Sequence, residues 1–280
     1  MPLIDVQHLS FAYRGHAVLS DVNLRLAPGE HLAVIGANAS GKTTLGHWLS
    51  GRLRPGPGIA SSGSVRLFGQ PWEAYAPLES ARRVQFVGQL PEQQITGLAA
   101  SVAEEVAFGV RNLGLPEAQV HERTEHALRA CGLQALAQAD PFELSGGELQ
   151  RLGIAAAMAM RPTLLILDEP GSNLDPTSRQ ALVHSLRQLQ AHSTLLLLDV
   201  SVELALRLAT RFALLHEGRL ALFSDVDAWL RAAHRHGVLS GNPCAEAGLA
   251  LREAQRVDAA ATLPLSVDAL AVELEASCHA

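Results

Sequence analysis

The sequence is organised around one glycine-rich stretch, Gly36-Ala37-Asn38-Ala39-Ser40-Gly41-Lys42-Thr43-Thr44. A largely apolar run, residues 30–35, precedes it, as expected of a buried strand that enters a turn. The spacing fits G-x-x-x-x-G-K-[ST], in which backbone N–H groups wrap the phosphates of a nucleotide. We expect Lys42 to reach the β- and γ-phosphates, Thr43 to bind Mg²⁺, and the following helix to add its positive end. Chance glycines in an ordinary strand–turn–helix are the weaker interpretation.

Composition limits the class of protein. The chain has 280 residues, 48% hydrophobic and 18% charged, which suffices for a sizeable core and one or two domains. A formal net charge of -6, with scattered Lys and Arg, argues against a nucleic-acid partner. Three cysteines without metal spacing favour a reducing cytosol. No run approaches the ~18 apolar residues of a membrane span, so we expect a soluble chain that can still dock on a membrane protein.

A second motif, Leu-Ser-Gly-Gly-Glu-Leu-Gln-Arg at 144–151, precedes a helix of small residues. Ser145, Gly146 and Gly147 at a helix start offer a hydroxyl and bare backbone N–H groups, which is again an anion site. Two anion sites on separate lobes are explained most simply by a two-fold dimer in which the second site faces the partner's nucleotide. A serine N-cap with a flexible glycine pair accounts for Ser-Gly-Gly but not for the whole octet.

Two acids end a continuous apolar run at 164–169, which is typical of a strand buried on both faces. The carboxyl ends of such strands are where open α/β sheets bind ligands. We expect Asp168 to coordinate Mg²⁺ through water and Glu169 to polarise an attacking water. A solvated turn is the weaker interpretation, because adjacent carboxylates in an apolar setting need a cation or a proton.

Two further candidates stay open on the residues alone. Tyr13 lies upstream of the glycine-rich stretch, where its ring can stack on a nucleotide base or simply be half-buried in a strand. Gln89 directly follows a predicted strand at 83–87. It can hold a Mg²⁺-bound water, or it can be a solvated surface side chain.

The remaining pattern predicts local structure. Residues 3–35 read as short strands, with an antiparallel sheet expected at this end of the chain. Residues 54–63 read as a loop rich in turn formers before a strand at 64–68. Residues 101–135 read as helical throughout, and a last short helix is predicted at 266–274.

Taken together, these residues resemble the nucleotide-binding subunit of ABC transporters. The phosphate loop, Gln89, the 144–148 motif, the strand ending in Glu169 and the 172–175 turn occur in that family's order. The resemblance covers roughly residues 3–230. It implies an α/β P-loop NTPase fold with a mostly parallel core sheet, an N-terminal antiparallel β subdomain and a helical signature subdomain.

The resemblance also implies domain bounds and roles. An ATP-binding domain is expected at 1–236, with its helical subdomain at about 92–160, followed by a short C-terminal extension at 237–280. Tyr13 resembles the family's adenine-stacking aromatic, which decides between its two interpretations. Gln89 takes a metal-binding and catalytic role beside Lys42 and Glu169, and Asp175 joins the nucleotide-binding set.

Segments 87–94, 106–109, 113–115 and 264–266 resemble the energy-coupling-factor branch, which takes up cobalt and vitamins. That branch implies ATP and Mg²⁺ as cofactors and a dimer of the chain with itself or a paralogous ATPase. ATP would lie between one phosphate loop and the other copy's Ser145, Gly146 and Gly147. A transmembrane coupling subunit would dock near the Gln89 loop, with a substrate-binding membrane subunit beside it, at the cytoplasmic face of the membrane.

The sequence departs from the family pattern at two places. The family carries a histidine that contacts the γ-phosphate after the strand equivalent to 194–198, and alignment on 203–205 puts Val200 there. Because loss of one preorganised group typically costs ~10²–10³ in rate, we hypothesise slow turnover at this chain's own site. A histidine-bearing paralogue would then supply the faster site. Ala39 replaces the family's usual glycine. Its methyl group should cost little if the backbone at residue 39 avoids positive φ.

Other functions remain as alternatives: a non-transport ATP clamp that acts on a cytosolic complex, or the ATPase of an exporter. A DNA-repair ATPase shares the 144–148 motif but inserts a long coiled coil. No sustained heptad pattern lies between Thr44 and Leu144, which disfavours that class.

Overall fold

The computed structural model describes residues 1–172, 174–189 and 193–238. An antiparallel sheet of three strands occupies the N-terminal end, in the order β2-β1-β4. Its strands are β1 (Ile4–Tyr13), β2 (His16–Leu26) and β4 (Ile59–Leu67). The predicted antiparallel N-terminal sheet is therefore confirmed, with one long β1 in place of short pieces.

A six-stranded sheet forms the centre of the fold, in the order β5-β6-β7-β3-β8-β9. Its strands are β3 (His31–Ile35), β5 (Val84–Val87), β6 (Leu164–Asp168), β7 (Thr194–Asp199), β8 (Arg211–His216) and β9 (Arg219–Phe223). Every pairing is parallel except β8 with β9. All residues of β3, β6 and β7 are buried, which explains their continuous apolar sequences. The predicted mostly parallel α/β fold is confirmed.

Eight α-helices lie within the described residues, and two buried clusters pack on the two faces of the central sheet. The helices are α1 (Lys42–Leu49), α2 (Pro77–Arg83), α3 (Val102–Arg111), α4 (Glu117–Ala130), α5 (Gly146–Ala159), α6 (Pro176–Leu189), α7 (Val202–Leu208) and α8 (Val226–Arg235). Alternate residues of each strand enter alternate clusters: Ile35 packs with α3–α8, whereas Val34 packs with α1 and the antiparallel sheet. None of the described helices is long and apolar enough to cross a membrane.

Two local expectations are wrong. Residues 61–63 belong to β4 rather than to a loop, because pairing with β1 outweighs their turn propensity. Gly63 has φ +89° and lies against the carbonyl of His8, where the β1–β4 register shifts. Residues 101–135 are not helical throughout, since Gly114 (φ +68°) and Pro116 separate α3 from α4. The helix predicted at 266–274 lies outside the described residues.

The strand register places the carboxyl ends of several parallel strands at one edge of the central sheet. Ile35 lies opposite Asp199, Asp168 opposite Leu198, and Val87 opposite Leu167. β3 pairs with β7 on one side and β8 on the other, so the connections diverge at its carboxyl end. Open α/β sheets bind ligands in the crevice that such a divergence leaves.

Candidate functional site

A cavity of about 420 Å³ opens at this carboxyl edge. It is bordered by the loop between β3 and α1 and by the residues that follow β5 and β6. The lining residues are Val18, Asn38, Ala39, Gly41, Lys42, Thr43, Thr44, Gln89 and Glu169. All except Val18 were predicted site residues. Val18 lies on β2, and no sequence signal marked it because its place depends on how the two sheets pack.

The loop glycines are required by their surroundings. A Cβ on Gly36 would meet the carbonyl oxygen of Leu215 and lie 2.6 Å from Ser40 Oγ. Gly41 has φ +106°, and a Cβ there would lie 2.9 Å from Leu19 Cδ2. Ala39 also has a positive φ, +63°. The condition on which we expected its methyl group to cost little is therefore not met. An L-residue in this conformation is strained by about 1 kcal/mol.

Lys42 lies at the centre of the site and is only 4% exposed. Its Nζ donates to the carbonyl oxygens of Gly36 (2.8 Å) and Ala37 (3.0 Å). Glu169 Oε1 lies 3.6 Å from the same Nζ, and Glu169 Oε2 accepts a hydrogen bond from Gln89 Nε2 at 2.9 Å. The three residues predicted to act in catalysis therefore converge on one side of the cavity.

Asp168 lies behind this group and is 1% exposed. Its Oδ1 has no hydrogen-bond partner within the described part of the chain, and its side chain interacts with the Thr43 hydroxyl. Burial raises the pKa of the Asp168 carboxyl. A buried, unpartnered carboxylate oxygen beside a hydroxyl fits the all-oxygen ligand set that Mg²⁺ prefers.

Asp199 is a buried acid at the same edge that the sequence reasoning did not select. It is 5% exposed, and its Oδ1 accepts hydrogen bonds from the backbone N–H groups of Val200 (2.7 Å) and Ser201 (3.0 Å). Burial, with a smaller contribution from the charge of Glu169, raises the pKa of this carboxyl to about 6. An acid directly after a buried strand was the available signal, as for Asp168.

The predicted residues Ser145, Gly146, Gly147, Asp175 and Tyr13 are not among those that line this cavity. Ser145 caps α5, where its side chain and that of Glu148 form a capping box. Asp175 caps the start of α6 through hydrogen bonds from the N–H groups of Thr177 and Ser178. Tyr13 lies at the β1–β2 turn with its ring edge-on to Phe11. Within one chain these residues do not line the cavity, and Gly146 has open space beside it.

Comparison with known proteins identifies close similarity across most of the chain. A family described as ABC transporter matches residues 19–172. The energy-coupling factor transporter ATP-binding protein EcfA1 of Lactiplantibacillus plantarum is 37% identical over 204 residues, covering 71% of this chain and 70% of the relative. The cobalt import ATP-binding protein CbiO of Syntrophus aciditrophicus is 42% identical over 182 residues, covering 64% and 62%.

A solved structure is also similar. CbiO1 of Clostridium perfringens, described as part of the ABC transporter complex cbiONQ, superposes with a TM-score of 0.69 at 29% identity. The match covers 79% of this chain and 87% of that protein. Its fold is therefore the one described above.

The burial of Asp199 predicts a pH-dependent cost to stability. Because its folded pKa is raised from 3.8 to about 6, the folded state holds a proton more tightly than the unfolded chain, and stability falls as pH rises between these values. Asp199→Asn keeps the oxygen acceptor and removes the charge. We expect it to be more stable than the parent at pH 7.5 by up to about 3 kcal/mol, with the gain fading towards pH 4, as measured by denaturant unfolding.

The control is Asp140→Asn, since Asp140 is exposed and also accepts a backbone N–H, that of Phe142. It should leave the pH dependence of stability unchanged. An Asp199→Asn gain of equal size at pH 4.5 and pH 7.5 would contradict the assignment.

Proposed function

The chain belongs to the ABC transporter family, and from that premise we propose that it is the ATP-binding and ATP-hydrolysing subunit of an energy-coupling-factor uptake transporter. The observation that carries the proposal is the convergence of Lys42, Gln89 and Glu169 on the cavity of the phosphate loop. The names of the relatives, which refer to energy-coupling factor transport and cobalt import, support the branch.

Lys42 binds the β- and γ-phosphates in this proposal. Its ammonium group is held by two carbonyl oxygens of the loop, those of Gly36 and Ala37, so it is in place before the nucleotide arrives. A preorganised, buried cation stabilises the charge that develops on the transferred phosphoryl group, and it does so more strongly than a solvated one. The N–H groups of residues 37–44 and the positive end of α1 add to this field.

Mg²⁺ fits beside Lys42. Asp168, Thr43 and Gln89 would hold it, directly or through water, and its charge would neutralise that of the phosphate oxygens. The unpartnered Oδ1 of Asp168 supports this assignment, since a buried acceptor without a donor is otherwise costly.

Glu169 orients and polarises the attacking water. Its carboxylate lines the cavity and is held by Gln89 Nε2 on one oxygen, with Lys42 near the other. A positioned carboxylate can accept the proton that the water releases. Gln89 therefore serves Glu169 as well as the metal, and it lies at the start of the segment that joins the core sheet to the helical subdomain.

The second half of each ATP site comes from a second ATPase subunit, either another copy or a paralogue. Ser145, Gly146, Gly147 and Asp175 do not line their own chain's cavity, which is consistent with a two-fold arrangement. Closing of the two subunits places these groups on the partner's nucleotide, and reopening follows hydrolysis. Tyr13, with its partly exposed ring, stacks on the adenine.

The membrane subunits attach where the helical subdomain meets the core. A groove of about 390 Å³ lies between α2, α3 and α5 and continues from the Gln89 loop through Gln94. We assign it to the transmembrane coupling subunit. A separate substrate-binding membrane subunit then releases a vitamin or a transition-metal ion inward, and the ATPase remains peripheral at the cytoplasmic face.

The turn after β7 makes this chain's own site slow. Asp199-Val200-Ser201 contains no histidine, so the γ-phosphate lacks one donor that the family supplies. Glu169 is retained, which argues against an inactive site. Hydrolysis in a mixed pair therefore falls mainly to the partner's histidine-bearing site.

Nucleotide binding and turnover test the proposal directly. The full chain should bind Mg·ATP at millimolar concentration or below. Lys42→Ala should weaken binding, because it removes the buried cation that meets the phosphates. Glu169→Gln should keep binding and lower the hydrolysis rate ~10²-fold. Glu73→Gln, a change at an exposed carboxylate paired with Arg54, is the control. A hydrolysis rate unchanged by Glu169→Gln would exclude that acid from catalysis.

A gain-of-function variant tests the slow site. Val200→His restores a donor at the turn, and we expect kcat to rise by ~10-fold or more towards the ~10² that one such group supplies, measured by steady-state phosphate release. Val200→Gln, which adds polarity without an imidazole, should give little or no gain. Equal rates for the parent and Val200→His would remove the reason for calling this site slow.

A further inference from the structure

Arg179, in the first turn of α6, makes hydrogen bonds to both α7 and the segment that precedes α6. Its Nη1 donates to Glu203 Oε2 at 3.0 Å, and its Nη2 lies 3.4 Å from the carbonyl oxygen of Gly171 and 3.3 Å from that of Leu174. Glu203 belongs to the first turn of α7, whereas Gly171 and Leu174 belong to the segment between β6 and α6. We call it the 171–175 segment and mean by it its described residues, 171, 172, 174 and 175. One side chain thus connects this segment to α7.

The α7 end of this connection reaches the nucleotide cavity. Ser201 caps α7 by accepting the N–H of Glu203 at 3.2 Å, and the turn begins at Asp199. The carbonyl oxygen of Asp199 accepts the N–H of Gly36, the first residue of the phosphate loop, at 3.2 Å. The carbonyl of Leu198 accepts the N–H of Glu169 at 2.8 Å. Hydrogen bonds therefore link the phosphate loop and Glu169 to β7, and the Ser201 cap links the turn after β7 to Glu203.

The 171–175 segment also packs against α7 at Gly171, and it is connected to α5 through Ser178 of α6. A Cβ on Gly171 would lie 2.8 Å from Leu204 Cδ1 and 3.6 Å from Arg179 Nε. At the other end of the segment, Ser178 donates to Asp175 Oδ2 at 2.6 Å and accepts from Arg151 of α5 at 2.9 Å. The segment thus lies between α7, which follows the turn next to this chain's own phosphate loop, and α5, whose N-cap is Ser145.

Guanidinium geometry suits Arg179 to this place. Its planar group offers several N–H donors in a fixed arrangement, so it can bond a carboxylate and two carbonyl oxygens at once, whereas a lysine ammonium cannot span them. The side chains of Arg179 and Glu203 are 32% and 27% exposed, which keeps their attraction stronger than that of a fully solvated pair.

We propose that Arg179 is a positioning residue that couples nucleotide binding at this chain's own phosphate loop to the 171–175 segment. The proposal rests on the proposed function, in which Asp175 faces the partner's nucleotide. Arg179 does not touch ATP. Through Glu203 and the β7–α7 turn, it makes the 171–175 segment, which meets the partner's nucleotide, responsive to nucleotide binding at this chain's own phosphate loop.

Amide hydrogen exchange on the full chain tests the coupling without needing the partner. The probe is magnesium with adenylyl imidodiphosphate, an ATP analogue that resists hydrolysis. In the parent chain we expect the analogue to slow exchange at residues 37–44 and also at Ser172 and Leu174, whose N–H groups bond Glu169 and Gly171. The slowing at Ser172 and Leu174 should be about fivefold, the effect of one typical hydrogen bond.

Arg179→Ala and Arg179→Lys should keep the protection of 37–44 and lose that of Ser172 and Leu174. Arg179→Lys retains the charge and serves if the alanine variant does not fold. Arg207→Ala is the matched control, because Arg207 also pairs with Glu203, at 3.2 Å within α7, but its side chain has no hydrogen bond or ion pair to the described residues of the segment. It should behave like the parent.

The outcomes separate two failures. The coupling role is overturned if the analogue does not protect Ser172 and Leu174 in the parent, or if their protection survives both Arg179 substitutions. Absence of protection at residues 37–44 in the parent instead overturns the proposed nucleotide site itself, and the coupling with it.

Discussion

The site depends on one buried cation. Lys42 is almost inaccessible to solvent, and its ammonium group is satisfied by two carbonyl oxygens of its own loop and by the nearby carboxylate of Glu169. A buried charge without such partners would cost several kcal/mol. The loop conformation, the positive φ values at Ala39 and Gly41, and the fit of Gly36 against Leu215 are the geometry that brings these partners together.

The acids around Lys42 outnumber it. Asp168, Glu169 and Asp199 end neighbouring strands, and burial raises the pKa of both Asp168 and Asp199. Such a cluster is held at an energetic cost that a bound divalent cation would relieve, because its charge offsets that of the carboxylates. The same features that cost stability in the free chain thus prepare it for Mg·ATP.

The sequence predicted the parts of this site that are set locally. The phosphate loop, the acids after β6 and Gln89 after β5 each stand directly behind an apolar run, and the parallel sheet brings such positions to one edge. Positions set by tertiary packing were not predicted. Val18 lines the cavity because β2 lies over the loop, and residues 61–63 form a strand because β1 pairs with them. The positive φ of Ala39 is likewise a property of the closed loop, not of the residue.

The central claim is that Lys42 exchanges its present partners for phosphate. Its most direct test is a crystal structure of the Glu169→Gln chain grown with Mg·ATP. We expect Lys42 Nζ to lie within hydrogen-bond distance of β- and γ-phosphate oxygens, with Ser145 of a second subunit on the same nucleotide. A nucleotide bound elsewhere, with Lys42 still on the carbonyls of Gly36 and Ala37, would contradict it.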